Sequence, residues 1–229
     1  MDITSAASRV GFNGGILGSQ LNNAFDLRQH RGVSDFDTTH QINANWIAEL
    51  PVGRGKPIAT AASSLLDAFV GGWQLSGMFR LTSGFPFSVG NGYSWASDWN
   101  YSGLAQMVSR PKTGAYVQPD GSVSVFADPA AAYNDFTTTF PGQSGSRNVL
   151  RGPGFVGLDM GLSKRWQLPF ENHSVQFRWE VFNVPNQVRF NVQSVTNPPS
   201  FQQVPSAFGA FTSLLTSPRV MQFALRYEF

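Results

Sequence analysis

The chain has 229 residues and a formal net charge of +2, from 16 Lys+Arg against 14 Asp+Glu. That balance provides no basic face for nucleic acid, and the absence of cysteine excludes a disulfide framework, a thiolate metal site and a Cys nucleophile. Charged residues are only 13% while aromatics reach 14%, and no apolar run approaches the roughly 18 residues of a membrane helix; what remains is a secreted all-β protein or a membrane β-barrel, whose apolarity hides in alternate positions.

In chain order, Met1-Asp2-Ile3-Thr4-Ser5 has neither a basic nor an apolar stretch and does not read as a signal peptide. Residues 1–37 read as a loop. Successive side chains of a strand point to opposite faces, and the first alternating segment is Gln41–Leu50. There Ile42, Ala44, Trp46, Ala48 and Leu50 oppose Gln41, Asn43, Asn45 and Glu49. The link Pro51–Gly72 follows, in which Ser63 or Ser64 is placed to cap a short helix through Leu65–Phe69.

Trp73–Phe87 is the second segment, with Trp73, Leu75, Gly77, Phe79, Leu81, Phe85 and Phe87 on one face and Gln74, Ser76, Arg80 and Thr82 on the other. A long loop over 88–154 carries a hairpin signal across Tyr116–Phe126, centred on Pro119-Asp120-Gly121. Phe155–Leu168 then sets Val156, Leu158, Met160, Leu162, Trp166 and Leu168 against Gly157, Asp159, Gly161, Ser163, Arg165 and Gln167. Lys164 is the one charge on the apolar row, near a strand end, where it is expected to snorkel to the interface.

After a short turn, Pro169–His173, the fourth segment is Ser174–Asn183. Val175, Phe177, Trp179 and Val181 oppose Ser174, Gln176, Arg178 and Glu180. A loop over 188–217 leads to Val220–Phe229, where Met221, Phe223, Leu225, Tyr227 and Phe229 oppose Gln222, Ala224, Arg226 and Glu228.

A soluble sandwich also alternates, but its strands typically run about 5–6 residues. These segments match the roughly 9–11 residues of a membrane strand. Aromatics gather near the segment ends (Trp73, Phe85, Phe87, Trp166, Tyr227, Phe229), as an interfacial girdle does. The expected fold is therefore all-β, an antiparallel transmembrane meander of about five strands. Phe79, Leu158, Met160, Phe177, Trp179 and Leu225 are expected to face lipid, and Arg80, Asp159, Arg178, Glu180 and Arg226 to face the lumen. Setting Phe229 at the periplasmic end puts every long loop outside and every short link inside, the usual arrangement of such barrels. Five strands do not close a barrel, which needs about 8, so the chain is expected to be the C-terminal part of a larger protein.

Several stretches carry a resemblance when taken in order: Phe25-Asp26-Leu27-Arg28, Arg31-Gly32-Val33-Ser34-Asp35-Phe36-Asp37-Thr38-Thr39-His40, Glu49-Leu50-Pro51-Val52-Gly53-Arg54-Gly55-Lys56, Gly71-Gly72-Trp73-Gln74-Leu75-Ser76-Gly77 and Thr82-Ser83-Gly84-Phe85-Pro86-Phe87. They continue with Arg147-Asn148-Val149-Leu150-Arg151-Gly152-Pro153-Gly154, Phe182-Asn183-Val184-Pro185-Asn186 and Pro218-Arg219-Val220-Met221-Gln222-Phe223-Ala224-Leu225-Arg226-Tyr227-Glu228-Phe229. The series resembles the end of Oar-like TonB-dependent receptors of the acidobacterial type. Their N-terminal carboxypeptidase-regulatory-like domain and plug precede the barrel. The resemblance implies that residues 1–229 are the C-terminal part of such a barrel, in the Gram-negative outer membrane. It further implies active uptake of an unidentified ligand, coupling to TonB through regions outside these residues, and no cofactor. The terminal Phe223, Leu225, Tyr227 and Phe229 resemble the signal read by the barrel-assembly machinery.

No catalytic residues are expected. Asp35, Asp37 and His40 read as a polar loop-to-strand junction in preference to a cation site. Asp159 and Glu180 form a carboxylate pair that fits lumenal ion pairing with Arg165 and Arg178 better than hydrolysis. The Arg147–Gly154 stretch lacks the strand, Gly-loop and helix order of a phosphate cradle. The alternatives are a passive porin or adhesion barrel, and a secreted carbohydrate-binding domain suggested by Trp95, Trp99 and Tyr101.

Overall fold

The alternating segments become the strands of one sheet. The computed structural model describes residues 26–90, 104–140, 143–170, 172–192 and 205–229. Eleven strands occur among them: β1 Gln41–Glu49, β2 Trp73–Thr82, β3 Pro86–Phe87, β4 Gln106–Met107, β5 Thr113–Val117, β6 Val123–Phe126, β7 Phe136–Thr137, β8 Leu150–Arg151, β9 Phe155–Gln167, β10 Ser174–Phe182 and β11 Val220–Glu228. Two short α-helices also occur among the described residues, α1 Ser64–Val70 and α2 Pro129–Asn134. No helix among the described residues is long and apolar enough to cross a membrane. Two units divide the chain. One comprises Gln41–Leu81, Val156–Val188 and Ser217–Phe229; the other comprises Thr82–Phe155, Arg189–Thr216 and the described part of Met1–His40.

The first unit is a five-stranded sheet in the order β1-β2-β9-β10-β11, so the long alternating strands are neighbours in chain order. β10 runs antiparallel to both β9 and β11. Between β1 and β2, Leu50 N–H donates to Trp73 O while Trp46 lies against Gly77, so residue numbers rise on one strand as they fall on the other. Strand lengths follow the alternation closely, with one exception. The segment expected to run from Trp73 to Phe87 ends as a sheet strand at Thr82. Gly84 explains the break: a Cβ there would lie 1.8 Å from Gly152 O, so two backbones cross where only glycine fits. Phe85 and Phe87 therefore leave the outward row, and Phe87 enters the core of the second unit.

At the end of the sheet where β1 passes to β2, α1 is folded onto the apolar row. Ser63 Oγ caps its start by accepting from Leu66 N–H at 3.4 Å. Gly71 N–H donates to Asp67 O at 2.9 Å, and the carbonyls at this end also receive donors from the sheet. Trp166 Nε1 donates to Ala68 O at 2.6 Å, Trp73 Nε1 to Phe69 O at 2.8 Å, and Lys164 Nζ to Asp67 O at 3.3 Å and to Gly71 O. Lys164, only 5% exposed, also lies over the Trp73 and Trp166 rings at 5.8 and 5.3 Å. It does not snorkel to water, as the sequence suggests. The helix carbonyls and two indole faces solvate the ammonium where it stands.

In the second unit, two long connections of the chain fold together with the described residues before β1. Phe87, Val125, Phe126, Phe136, Leu150 and Phe208 are among the residues of its buried core. Phe126 stacks on Phe208 with centroids 5.0 Å apart, and Tyr133 meets Phe208 edge-on at 5.4 Å. The expected hairpin is present as β5 and β6, joined by the Pro119-Asp120-Gly121 turn. Asp120 accepts from Ser122 N–H and O–H, which hold its carboxyl below the usual carboxylate range. Residues 88–154 are thus not simply loop. They carry β4 to β8 and α2, and Asp128 caps α2 through Ala131 N–H at 3.0 Å.

Candidate functional site

The register of the long strands sorts the sheet into two chemically distinct faces. Directly opposed residues of antiparallel neighbours share a face. Trp179 is opposite Leu162 and Phe223, Phe177 opposite Lys164 and Leu225, Val181 opposite Met160 and Met221, and Val175 opposite Trp166 and Tyr227. This row is apolar apart from Lys164. Leu158 continues the same β9 row and Phe79 belongs to the corresponding row of β2. Trp179 and Phe223 stack at 6.0 Å with planes only 7° apart. Trp73 approaches Phe177 edge-on at 6.0 Å. Phe223 and Leu225 are nonetheless 67% and 74% exposed. Side chains of this size, packed in a continuous row yet uncovered by protein, form an apolar patch that calls for an apolar medium.

The other face carries a charge ladder. Arg178 pairs with Glu180 two residues on, and Gln222 of β11 donates to the same carboxylate. Arg165 of β9 reaches Glu228 at 2.6 Å, Arg226 reaches it at 3.2 Å, and Ser174 donates to it at 3.3 Å. Three strands are laced by alternating charge on a face whose arginines stay exposed, so each pair adds little stability. Arg80 lies on the polar row of β2 and is exposed. Asp159 sits apart from this ladder. Its carboxylate accepts from Asn183 N–H at 2.7 Å, closing the end of β10. The sequence places Glu228, Gln222 and Ser174 on polar rows, but their partners follow only from the cross-strand register. The carboxylates are committed to arginine, amide and backbone donors, an arrangement for a hydrated polar surface and not for a nucleophile with its base.

Two short motifs show what they do. Asn183 and Asn186 both take left-handed backbone, φ 55° and 53°. Asn183 Nδ2 donates to Gln187 O and Ser217 O, and Asn186 Oδ1 accepts from Arg219 N–H at 2.9 Å. The Phe182–Asn186 turn thereby sets the start of β11. In the second unit, Asn148 is buried and donates to Val33 O at 2.7 Å and to Asp35, while its side-chain oxygen accepts from Ser88. Arg151 pairs with Asp37 and donates to Gly84 O at 3.1 Å. Asp35 and Asp37 are thus the polar junction that the sequence suggests. The Arg151 hydrogen bond holds the Asp37 carboxyl below the usual range, Thr39 adds to it, and burial opposes both. Beside this junction lies an open cleft of about 490 Å3, lined in part by Arg31, Arg110, Arg147 and Arg151 with Val33 and Pro111. Arg151 of this lining is paired with Asp37 and Arg110 donates to Val149 O. Trp95, Trp99 and Tyr101 lie outside the described residues.

A meander of membrane-length strands, apolar on one face and ion-paired on the other, defines an outer-membrane β-barrel protein. In agreement, the family model described as "Outer membrane beta barrel domain" matches residues 1–222, and the chain belongs to that family. No curated protein and no solved structure matches the chain. Family membership sets aside the secreted carbohydrate-binding alternative and places the protein in the outer membrane.

Proposed function

We propose that these residues form the C-terminal strands of a TonB-dependent receptor of the Oar-like type, a barrel that takes up a ligand actively and catalyses no reaction. In this arrangement Phe79, Leu158, Met160, Phe177, Trp179 and Leu225 contact lipid, and Arg80, Asp159, Arg178, Glu180 and Arg226 line the lumen. The α1 end of the sheet is periplasmic. The observation that carries the proposal is the second unit: two long connections, Thr82–Phe155 and Arg189–Thr216, share one buried core that includes Phe87, Phe126 and Phe208. A passive pore needs no such folded body among its connections, whereas a receptor requires a shaped surface for its ligand. The open cleft beside the Asp35–Asn148 junction, lined in part by Arg31, Val33 and Pro111, belongs to that surface. The ordered motif series supports the same assignment, and the terminal Phe223, Leu225, Tyr227 and Phe229 row fits recognition by the barrel-assembly machinery.

Two measurements on the full-length protein test this. A receptor binds the purified periplasmic domain of TonB and is closed to ions in a planar bilayer. A steady open conductance without TonB binding would assign the protein to passive diffusion. Neither conductance nor TonB binding, with cell-surface adherence lost on deletion, would assign it to adhesion.

A further inference from the structure

Helix α1 has its polarity reversed relative to a helix packed on a soluble protein. On a helical wheel Leu65, Leu66 and Phe69 fall on one arc and Asp67 on the opposite one. The protein holds the polar side: Asp67 Oδ1 accepts from Arg54 N–H at 2.5 Å, and a Cβ on Gly53 or Gly71 would press against that carboxylate. The apolar side is uncovered, with Leu65, Leu66 and Phe69 exposed by 79%, 50% and 73%. The helix is not loosely placed, because Trp73, Trp166 and Lys164 fix four of its carbonyl-end groups to the apolar row of the sheet. Those three side chains share a face with Phe177 and Leu162. The exposed side of α1 thus continues the membrane-facing surface at the end of the strands.

We propose that α1 is an interfacial helix that rests in the periplasmic leaflet, with Leu65, Leu66 and Phe69 inserted among the acyl chains and Asp67 turned toward the protein. The occupant of the apolar arc is lipid. It is continuous with the lipid-facing row, and Trp73 and Trp166 beneath it are residues of the kind that settle at headgroup depth. The helix extends the barrel's grip on the bilayer beyond its strands and fixes the depth of the β1–β2 link. This rests on the orientation proposed above.

The chain contains no cysteine, so single nitroxide labels report on one position each within it. Leu65→Cys, Phe69→Cys, Phe223→Cys and Ala115→Cys are to be labelled in the full-length protein in outer-membrane preparations, and collisions with dissolved oxygen compared with those of a water-soluble nickel chelate. Ala115 is exposed on β5 of the second unit and serves as the aqueous reference. Labels at 65 and 69 are expected to favour oxygen, as at 223, while the label at 115 favours the chelate. Labels at 65 and 69 that match 115, with 223 in lipid, would overturn the interfacial helix and leave the barrel assignment standing. A label at 223 that matches 115 would overturn both. As a second reading, Leu65→Ser/Phe69→Ser should shift a label at Leu66→Cys toward the chelate; an unchanged ratio also rejects the proposal.

Discussion

The indole of Trp46 lies directly over Gly77 of the adjacent strand: a Cβ added to Gly77 would come within 2.0 Å of Trp46 Cζ2. The glycine leaves the recess that the ring fills, and both residues belong to apolar rows. Gly77→Val must displace the ring or spread β1 from β2. A loss of about 1–3 kcal/mol is expected, the usual cost of overpacking. Trp46→Ala/Gly77→Val should be less destabilised than the sum of the two single changes. Unfolding midpoints in urea, measured on the full-length protein in detergent, check both values; strict additivity would dissociate the pair.

One residue step should reverse the tolerance for charge on β11. Phe223 faces the apolar row and Gln222 the ladder, where it already donates to Glu180. Phe223→Arg is expected to cost about 2–4 kcal/mol near the bilayer midplane. Gln222→Arg gains a carboxylate partner and should be nearly neutral. The amount of each variant inserted in the outer membrane distinguishes them, and equal levels would refute the facing of the strand.

The Asp37–Arg151 pair predicts a pH dependence. The folded state lowers the Asp37 pKa below its ordinary 3.8. Its contribution to stability is therefore present above the ordinary carboxylate value and is lost as pH falls through the lowered one. The native protein should be more stable than Asp37→Asn at neutral pH, and the gap should close in acid. Thermal midpoints of both proteins across that range provide the check; a gap that is constant with pH would mean the pairing is not electrostatic.

Lys164→Met removes the donor to Asp67 O and Gly71 O while keeping the side-chain length. Asp67 O keeps Gly71 N–H, but losing the Lys164 donor to buried Gly71 O costs about 1–3 kcal/mol. The expected consequence is a loosened α1 and faster proteolysis within residues 51–72, with the sheet intact. Cleavage at the native rate would show that the two tryptophans suffice to hold the helix.

The long strands were legible because a period of two, sustained over nine or more positions, leaves few alternatives once both faces are chemically distinct. The ends of β1, β9, β10 and β11 fall within one residue of the alternating segments, and the Pro119–Gly121 turn announces its hairpin. What escaped is set by partners far along the chain. Lys164 looks misplaced until Asp67 and Gly71 are beside it, and Phe87 continues an alternation locally although its core partners include Phe126, whose ring is 6.2 Å away. The charge ladder was legible as a polar row, but its pairing of Arg165 with Glu228 depends on a register that spans three strands. Asparagine motifs read as family signatures proved to be left-handed turn positions, a conformation that Asn accepts but does not enforce.

The stacked pair Phe126–Phe208 brings together residues separated by two membrane strands, and Ser124 Oγ donates to Phe208 O across the same gap. During synthesis Phe126 emerges well before its partner, so closing this core requires a long loop to be drawn shut, a slow step in folding. A molecule halted ahead of Phe208 leaves Phe126 and Phe136 uncovered on that side. The unfinished chain thereby displays an apolar surface, and burying that surface marks completion of the folded unit.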